Sequence, residues 1–412
     1  MDESHDPLQC VKQLRQTIAA DKLSIGFFLG AGCPCAIRVP REGQDGDDPL
    51  IPDIKGLTQR VAAELSSSEN HQASFTRLLT VLTEDGSADP NVEVILSRIR
   101  LLRDAAGNHE VRGLSAGSLD ELDRAVCQAI VSAETRDLPA RETPYHSLAG
   151  LVGTYRAPPS EVFTTNQDLL MEQALESLRV PFFDGFVGSS RPFFDQQAIE
   201  DDKLPDRWPL LWKVHGSINW RFNKETRRIT RSREMADGEE LLIHPSHRKY
   251  DESRRMPYVV MIDRLKGFLR NNRQPVALLV VGHSFSDEHL NATIVESLKA
   301  NPSAACFALQ YEKIASYATA ATLAKQEANF SLLARDAAVI RRREGRWLAR
   351  PATERAALSG VFDFDGADTV AGNGGSADGK TDEPRPCHFL LGDFRHLGIF
   401  LDEFVRRPAD EG

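Results

Sequence analysis

Polar residues follow short apolar runs in this chain, and their types suit acid–base chemistry on a bound ligand. The run Leu210–Val214 leads to His215, the run Val162–Thr165 leads to Asn166, and the run Ile25–Leu29 leads into a glycine turn. Each run has the length and composition of a buried strand. Because strand ends form the ligand crevice of an open α/β sheet, we expect these polar residues to face one site.

Two glycine-containing turns accompany these residues. Gly30-Ala31-Gly32 could let the backbone approach a phosphate, with a following helix directing its N–H groups at the anion. The third glycine of a full dinucleotide-binding fingerprint is missing and Pro34 interrupts the expected helix start, so this signal is weak by itself. The second turn, Gly282–Asp287, follows the apolar run Val276–Val281, which is typical of a central parallel strand.

Each candidate also has a purely structural interpretation. His215 could be a surface or satisfied core histidine, and Asn166 could be a turn residue. Asp168 and Asp287 could cap the helices that follow them, and the Ser284 hydroxyl could satisfy a loop backbone. The residues alone leave these alternatives open.

The composition excludes several functional classes. The chain has 412 residues, 41% hydrophobic and 27% charged, with a net charge of −10 and a pI near 5.6. An acidic protein of this kind is a poor general nucleic-acid binder, since phosphate contacts need a basic face. No apolar run is long enough for a membrane span and no signal peptide is evident. We therefore expect no membrane association and no direct nucleic-acid binding.

The cysteines argue against a zinc site and a disulfide framework. Six are present and none forms a Cys-x-x-Cys pair; Cys33 and Cys35 are the two that lie close in sequence. We therefore expect no metal, and a reducing cytoplasm as the location.

Strand and helix patterns alternate along most of the chain, which is typical of an α/β, Rossmann-like fold with a mostly parallel sheet and helices on both faces. We predict one catalytic domain over residues 1–350, with a helical insertion at 58–145. Residues 351–386 are predicted to be a flexible loop, and residues 387–412 a C-terminal docking segment. The insertion has few histidines or cysteines and is interpreted as a lid or an assembly surface.

Together the motifs resemble the sirtuin-like NAD-binding fold over about residues 20–315, most of the insertion excluded. Their order and spacing are more specific than any one of them. The matching stretches are Gly30–Gly32, Ile51–Asp53, Thr164–Asp168, Lys213–Ser217 and Gly282–Asn291. Among such proteins the chain is most similar to bacterial sirtuin-like NADases of anti-phage defence. The stretches Leu242–Ser246 and Met256–Tyr258 resemble stand-alone subunits that work with a HerA-type ATPase.

This resemblance implies that the chain cleaves the nicotinamide–ribose bond of NAD+. His215 would take a proton from a ribose hydroxyl, since an imidazole has an ordinary pKa of about 6.5. Asn166 would hold a water or a ribose hydroxyl, and Asp168 would face the nicotinamide carboxamide. The remaining cofactor-binding residues implied by the resemblance are Gly30, Ala31, Gly32 and Cys33 at the pyrophosphate, Ser284 and Asp287 near the adenosine ribose, and Asp53, Thr165, Gly282 and Phe285.

Other activities share this chemistry. A protein deacylase usually carries a four-cysteine zinc module beside its peptide groove, and this chain has no such pairs, so hydrolysis is favoured. An ADP-ribosyltransferase, and a non-catalytic sensor of NAD or ADP-ribose, are further alternatives. The resemblance also implies a homo-oligomer with a possible HerA-type ATPase partner. Cys33-Pro34 departs from the family pattern, in which a small hydroxyl residue is common.

Overall fold

The structure is a computed structural model. It describes residues 4–41, 45–223, 225–232, 239–243, 252–349, 355–364 and 385–405. Most of the loop predicted at 351–386 lies outside these ranges. Residues 244–251 also lie outside them, and they include part of the Leu242–Ser246 stretch that resembles ATPase-associated subunits.

The N-terminal part confirms the first predicted helix and strand. The helix begins at Pro7, where the Asp6 carboxylate accepts a hydrogen bond from the Leu8 amide and so caps the first turn. Pro34 lies inside a short helix and does not prevent it from forming. The elements are β1 (Ser4–His5), α1 (Pro7–Ala19), β2 (Ser24–Leu29), α2 (Gly32–Ala36), β3 (Arg38–Pro40) and β4 (Asp47–Pro49).

The insertion is helical, as predicted, and folds around its own core. Side chains of Asp53, Asn91 and Ser115 cap three of its helices by accepting backbone N–H bonds. Its elements are α3 (Ile54–Ser67), α4 (Gln72–Glu84), α5 (Val92–Ala106), β5 (Glu110–Val111), β6 (Leu114–Ser115) and α6 (Ala116–Glu134). Among the described helices, none is both long and apolar enough to cross a membrane.

A second, antiparallel sheet follows the His215 strand. The Phe, Gly, Pro and Ser residues of Pro181–Phe194 predict an irregular loop, but two short strands form there. Phe193–Phe194 pairs with a distant strand at Arg228–Arg231, and Phe186–Val187 pairs with Phe193–Phe194. The sheet order is β13-β11-β12-β9-β8. The elements of this part are α7 (Pro144–Val152), β7 (Glu161–Thr164), α8 (Leu170–Ser177), β8 (Phe186–Val187), β9 (Phe193–Phe194), α9 (Gln196–Glu200), β10 (Leu210–Lys213), β11 (Gly216–Asn223), β12 (Arg228–Arg231) and β13 (Glu239–Ile243).

The C-terminal third adds strands to the main sheet and ends in a helix. The apolar runs at 276–281 and 304–309 predict strands and residues 288–300 predict a helix, and all three are confirmed. The elements are α10 (Glu252–Arg270), β14 (Val276–Val281), α11 (Glu288–Ala300), β15 (Ala304–Leu309), α12 (Ala318–Gln326), β16 (Phe330–Leu333), β17 (Ala337–Ile340), β18 (Arg343–Ala349), α13 (Arg355–Leu358), β19 (Phe362–Asp363), β20 (Arg385–Pro386), β21 (His388–Phe389) and α14 (Phe394–Val405).

The main sheet has the mostly parallel topology that the sequence predicts. In the described part of the chain its order is β1-β18-β17-β16-β15-β14-β2-β7-β10, and β20 pairs with β18. Within the run β16-β15-β14-β2-β7-β10, each strand is parallel to the next. From β2 the chain proceeds outward through β7 and β10, then returns to build β14, β15 and β16 on the other side. A ligand crevice is expected where the strand order reverses in this way.

Helices cover both faces of the sheet, which confirms the predicted fold class. Alternate residues of β14 divide between two cores: Ala277, Leu279 and Val281 face α1, α7, α8 and α14, whereas Leu278 and Val280 face α10, α11 and α12. Such full burial of every strand residue is typical of parallel sheets.

The apolar stripes that suggested assembly are buried within the chain. The stripes of α5 and α6 pack together in the insertion core. In α14, Phe394 and Leu401 lie in the main core, and the Phe394 ring meets the Tyr145 ring edge-on at 5.0 Å. The buried part of these stripes therefore gives no evidence for assembly, and the homo-oligomer stays a prediction from the family resemblance.

The turns after β2 and β14 touch backbone to backbone. The Gly30 amide donates to the Val281 carbonyl and the Gly32 amide donates to the Gly282 carbonyl, both at 2.9 Å. A Cβ atom on Gly30 would lie 2.6 Å from the His283 Cα and would overlap the Gly282 carbonyl. Gly282 itself has a φ of +67°, which favours glycine. These glycines are needed for the two strand ends to meet.

We expect Gly30→Ala to lower the free energy of unfolding by about 1–3 kcal/mol, because the added methyl group must force two backbones apart. Urea denaturation measures the change. Gly267→Ala is the matched control: Gly267 lies inside α10 and its Cβ would meet no atom within 4 Å. It should raise stability by up to about 1 kcal/mol, as alanine favours a helix over glycine. Equal effects at the two positions would contradict the close-contact argument.

Candidate active site

A cavity of about 550 Å³ opens at the carboxyl ends of the central strands, where the strand order reverses. Its walls come from the turns after β2, β7, β10 and β14, from the insertion and from the segment that precedes α14. The polar and charged residues that line it are Arg38, Asp53, Glu93, Glu134, Thr165, Asn166, Gln167, Asp168, His215, His283, Ser284, Ser286, Asp287, Gln310, Tyr311, Glu312, Tyr317, Asp393 and Arg395.

His215 and Asp287 form a pair in this cavity. Nε2 of His215 lies 3.2 Å from Oδ2 of Asp287, and the imidazole is buried. Asp287 also caps α11 by accepting from the His289 and Leu290 amides, which confirms its structural interpretation. Burial would raise the pKa of Asp287, but the hydrogen bonds from His215 and from these amides outweigh it and hold the pKa well below its usual range. The carboxylate is thus placed to accept a hydrogen bond from Nε2.

Asn166 is fixed at the entrance of the crevice by the neighbouring turn. Its Nδ2 donates to the Gly30 carbonyl at 3.0 Å, and its backbone amide donates to the Thr164 hydroxyl at 2.9 Å. The Thr165 amide continues the sheet by donating to the Leu29 carbonyl. Since the amide nitrogen faces the backbone, the side chain is held in one orientation beside the cavity.

Asp168 lies in a buried cluster of charges. Its Oδ1 accepts from the Leu170 amide at 2.9 Å, which supports the predicted turn before α8. Lys213 donates to the Asp168 backbone carbonyl and to Oε1 of Glu172. Burial raises the pKa of Asp168 to about 6, although Lys213 and the Leu170 amide act in the opposite direction.

The cavity brings together ten of the thirteen residues proposed from the sequence and leaves three outside its lining. Gly30 forms the turn contact behind the wall. Cys33 is fully buried with its thiol directed at the Val281 carbonyl, and burial raises the pKa of that thiol well above its ordinary value. Phe285 is buried against Phe330 and His283. The ten lining residues are Ala31, Gly32, Asp53, Thr165, Asn166, Asp168, His215, Gly282, Ser284 and Asp287.

The insertion contributes two carboxyl groups that the sequence analysis missed. Glu93 on α5 and Glu134 at the end of α6 both line the cavity. Burial raises the pKa of Glu93, and the charges of His215 and Asp287 also act on it. The insertion has few histidines or cysteines, and its sequence is therefore interpreted as a lid or an assembly surface. The sequence signal for Glu134 is its place at the last position of a helix, where the helix dipole disfavours negative charge.

Glu134 has an unusual environment. Its Oε2 atom is buried and has no hydrogen-bond partner among the described residues. Burial, with the nearby charges of Asp168 and Glu93, raises the pKa of Glu134 to about 8, and Lys213 offsets part of this shift. The carboxyl is therefore mostly neutral at neutral pH.

His283 is a second buried polar group of the lining that the sequence analysis did not select. Its ring lies between Phe28 and Phe285, with centroid distances of 5.0 and 4.9 Å. Burial lowers the pKa of His283 to about 4, helped by the charge of His215, so the ring is neutral. Its Nε2 has no partner in the described residues.

In the described part of the chain, no group of three or more His, Cys, Asp or Glu side chains is arranged to hold a metal ion. The six cysteines are free, and five of them are buried at separate places in the fold.

We expect Glu134→Gln to stabilise the protein increasingly as pH rises. A carboxyl with a raised folded-state pKa keeps its proton in the fold but loses it in the unfolded chain, so stability falls as pH rises from about 4.5 to about 8. Glutamine removes this dependence. The variant should match wild type near pH 4.5 and exceed it by roughly 1–3 kcal/mol near pH 8.5, measured by urea denaturation. Glu121→Gln, an exposed position on the same helix, is the control and should show no such trend.

Comparison with known proteins finds one family model that is similar to part of the chain. A model of the SIR2-like domain matches residues 160–332, a stretch that contains Asn166, His215 and Asp287. A search of curated proteins finds no match. A solved complex of a mutant Sir2 homologue with ADP-ribose aligns over 72% of this chain and 83% of that chain, with 14% identity and a TM-score of 0.31.

Proposed function

We propose that the protein is an NAD+ hydrolase that cleaves the nicotinamide–ribose bond and releases nicotinamide and ADP-ribose. The observation that carries the proposal is the buried His215–Asp287 pair beside Asn166, in a cavity at the switch point of a SIR2-like domain. Proteins with this domain type act on NAD, as the resemblance in the sequence also implies.

The cavity residues fit a dinucleotide. Its lining includes the carboxyl groups of Asp168 and Glu134, and also Ser284 and Gln310. A dinucleotide is long, and it carries a cationic ring at one end and hydroxyl groups along its length. Three buried polar atoms of the lining lack partners among the described residues and could contact such a ligand: Oε1 of Gln167, Nε2 of His283 and Oε2 of Glu134.

The chemistry needs little beyond positioning and charge stabilisation. As the bond to cationic nicotinamide breaks, both bonding electrons go to the ring nitrogen, and C1 of the ribose develops oxocarbenium character. Water then adds to C1 and releases a proton. Holding water and ribose in line removes much of the entropic barrier, and fixed carboxylates stabilise the developing cation.

His215 and Asp287 supply the acid–base group. Asp287 orients the imidazole of His215, which can take a proton from a ribose hydroxyl or from the attacking water. The carboxylate of Asp287 then stabilises the imidazolium that forms. The Asn166 amide, held by the Gly30 carbonyl, orients the water or the hydroxyl without acting as a nucleophile.

The direct test measures nicotinamide and ADP-ribose released from NAD+ by the purified protein and its variants. We expect His215→Ala and Asn166→Ala to reduce turnover by roughly 10²–10⁴-fold, the range for a positioned acid–base group. His289→Ala is the matched control, because His289 is exposed two residues after Asp287, and it should retain wild-type turnover. Unchanged nicotinamide release by either variant would contradict the catalytic role proposed for the residue that it replaces.

The same assay separates the alternatives. Nicotinamide release that depends on an acyl-lysine peptide would indicate a deacylase, and ADP-ribose attached to protein would indicate a transferase. Binding of NAD+ or ADP-ribose with no turnover would indicate a sensor. A cyclic product would show that an internal nucleophile, and not water, captures the ribose.

Assembly and biological role extend this proposal. We propose a homo-oligomer that works with a HerA-type ATPase and depletes NAD during anti-phage defence, as the family resemblance implies. Light scattering of the purified chain is expected to give a multimer. A monomer across micromolar concentrations would contradict the proposed assembly but would leave the hydrolase proposal intact.

A further inference from the structure

The insertion contributes the carboxyl groups of Glu93 and Glu134 to the wall of the cavity. Glu134 ends α6 with its Oε2 buried and unpartnered, although a carboxyl group is poorly placed at a helix C-terminus. A polar atom left in this position costs stability unless something else satisfies it. A ligand is the natural partner, because Glu134 lines the cavity.

The charges around Glu134 indicate what that ligand group is. Asp168 follows β7, Lys213 ends β10 and Glu93 lies on α5, and all three act electrostatically on Glu134. Lys213 is already paired with Glu172. Asp168 and Glu134 therefore lie near one lysine that is already paired with another carboxylate, and this part of the cavity favours a cationic group.

We propose that Glu134 is a specificity residue that recognises the positive charge of the oxidised nicotinamide ring. The inference rests on the proposed function and deepens it, since it predicts that the site distinguishes NAD+ from NADH. The two dinucleotides share the carboxamide, both riboses and the pyrophosphate, and they differ in ring charge. ADP-ribose lacks the ring and serves as a further reference.

Binding of the cation should release protons. An incoming positive charge favours the ionised form of Glu134, whose pKa is about 8, and of Asp168, whose pKa is about 6. Affinity for NAD+ should therefore rise with pH between about 6 and 8, whereas affinity for NADH should not. The other charged groups that face Glu134, Glu93 and Lys213, act in the same cluster.

The test compares dissociation constants of NAD+, NADH and ADP-ribose by calorimetry at pH 8.5, in a His215→Ala background that suppresses turnover. We expect adding Glu134→Gln to weaken NAD+ binding roughly tenfold, because glutamine keeps the shape and loses the charge. Binding of NADH and of ADP-ribose should change less than about twofold, as they lack the positive ring. Adding Glu121→Gln should change none of the three.

A loss of affinity confined to NAD+ that shrinks at pH 6 supports the proposal. Equal losses of affinity for NAD+ and NADH, or no loss, overturn it. Misfolding does not confuse the result, since Glu134→Gln is expected to be at least as stable as wild type. If wild type hydrolyses NAD+ and the variant binds it normally, this inference alone fails. If the wild-type chain binds neither NAD+ nor ADP-ribose, the proposed function fails and this inference fails with it.

Discussion

The contact between the two glycine turns is the constraint on which the rest of the structure depends. β2 and β14 lie side by side at the centre of the sheet, and their turns approach until backbone meets backbone at Gly30, Gly32 and Gly282. The backbones of the two turns meet directly beside the cavity, with no Cβ atom between them. The polar groups then come from the neighbouring strand ends: the Gly30 carbonyl fixes Asn166, and the turn after Gly282 presents Asp287 to His215.

The cavity concentrates acidic groups where a stable protein would avoid them. Asp168, Glu134 and Glu93 are partly or fully removed from water, and the pKa of each is raised mainly by burial. A raised carboxyl pKa means that ionisation of the group lowers the free energy of unfolding. Such departures from favourable placement are typical of functional sites, and here they come from two separate parts of the chain. The insertion thus contributes side chains to the wall of the cavity.

The sequence predicts the centre of this fold well, because local signals are strong there. The runs at 24–29, 276–281 and 304–309 are short, apolar and bounded by turns, and each forms the expected strand. The second sheet was not predicted, because two-residue strands have no periodicity of their own. Phe193–Phe194 pairs with the distant strand β12, and Phe186–Val187 pairs in turn with Phe193–Phe194.

The site shows the same division between local and distant signals. His215, Asn166 and Asp287 could be selected because each follows an apolar strand in a recognisable motif. Glu134 could not, because its chemistry depends on its tertiary neighbours and its helix is otherwise an ordinary amphipathic one. The pairing of His215 with Asp287 joins residues 72 positions apart, and spacing alone gives no indication of it.

The segment that precedes α14 has a consequence for how the protein is made. Gly392 packs so closely on Gln310 that a Cβ would overlap its backbone, and residues 392–395 form part of the cavity wall. The cavity therefore combines residues as far apart in sequence as Ala31 and Arg395. A ribosome must synthesise the chain at least through Arg395 before this wall of the cavity can form. A nascent chain that ends before Gly392 would lack this part of the wall.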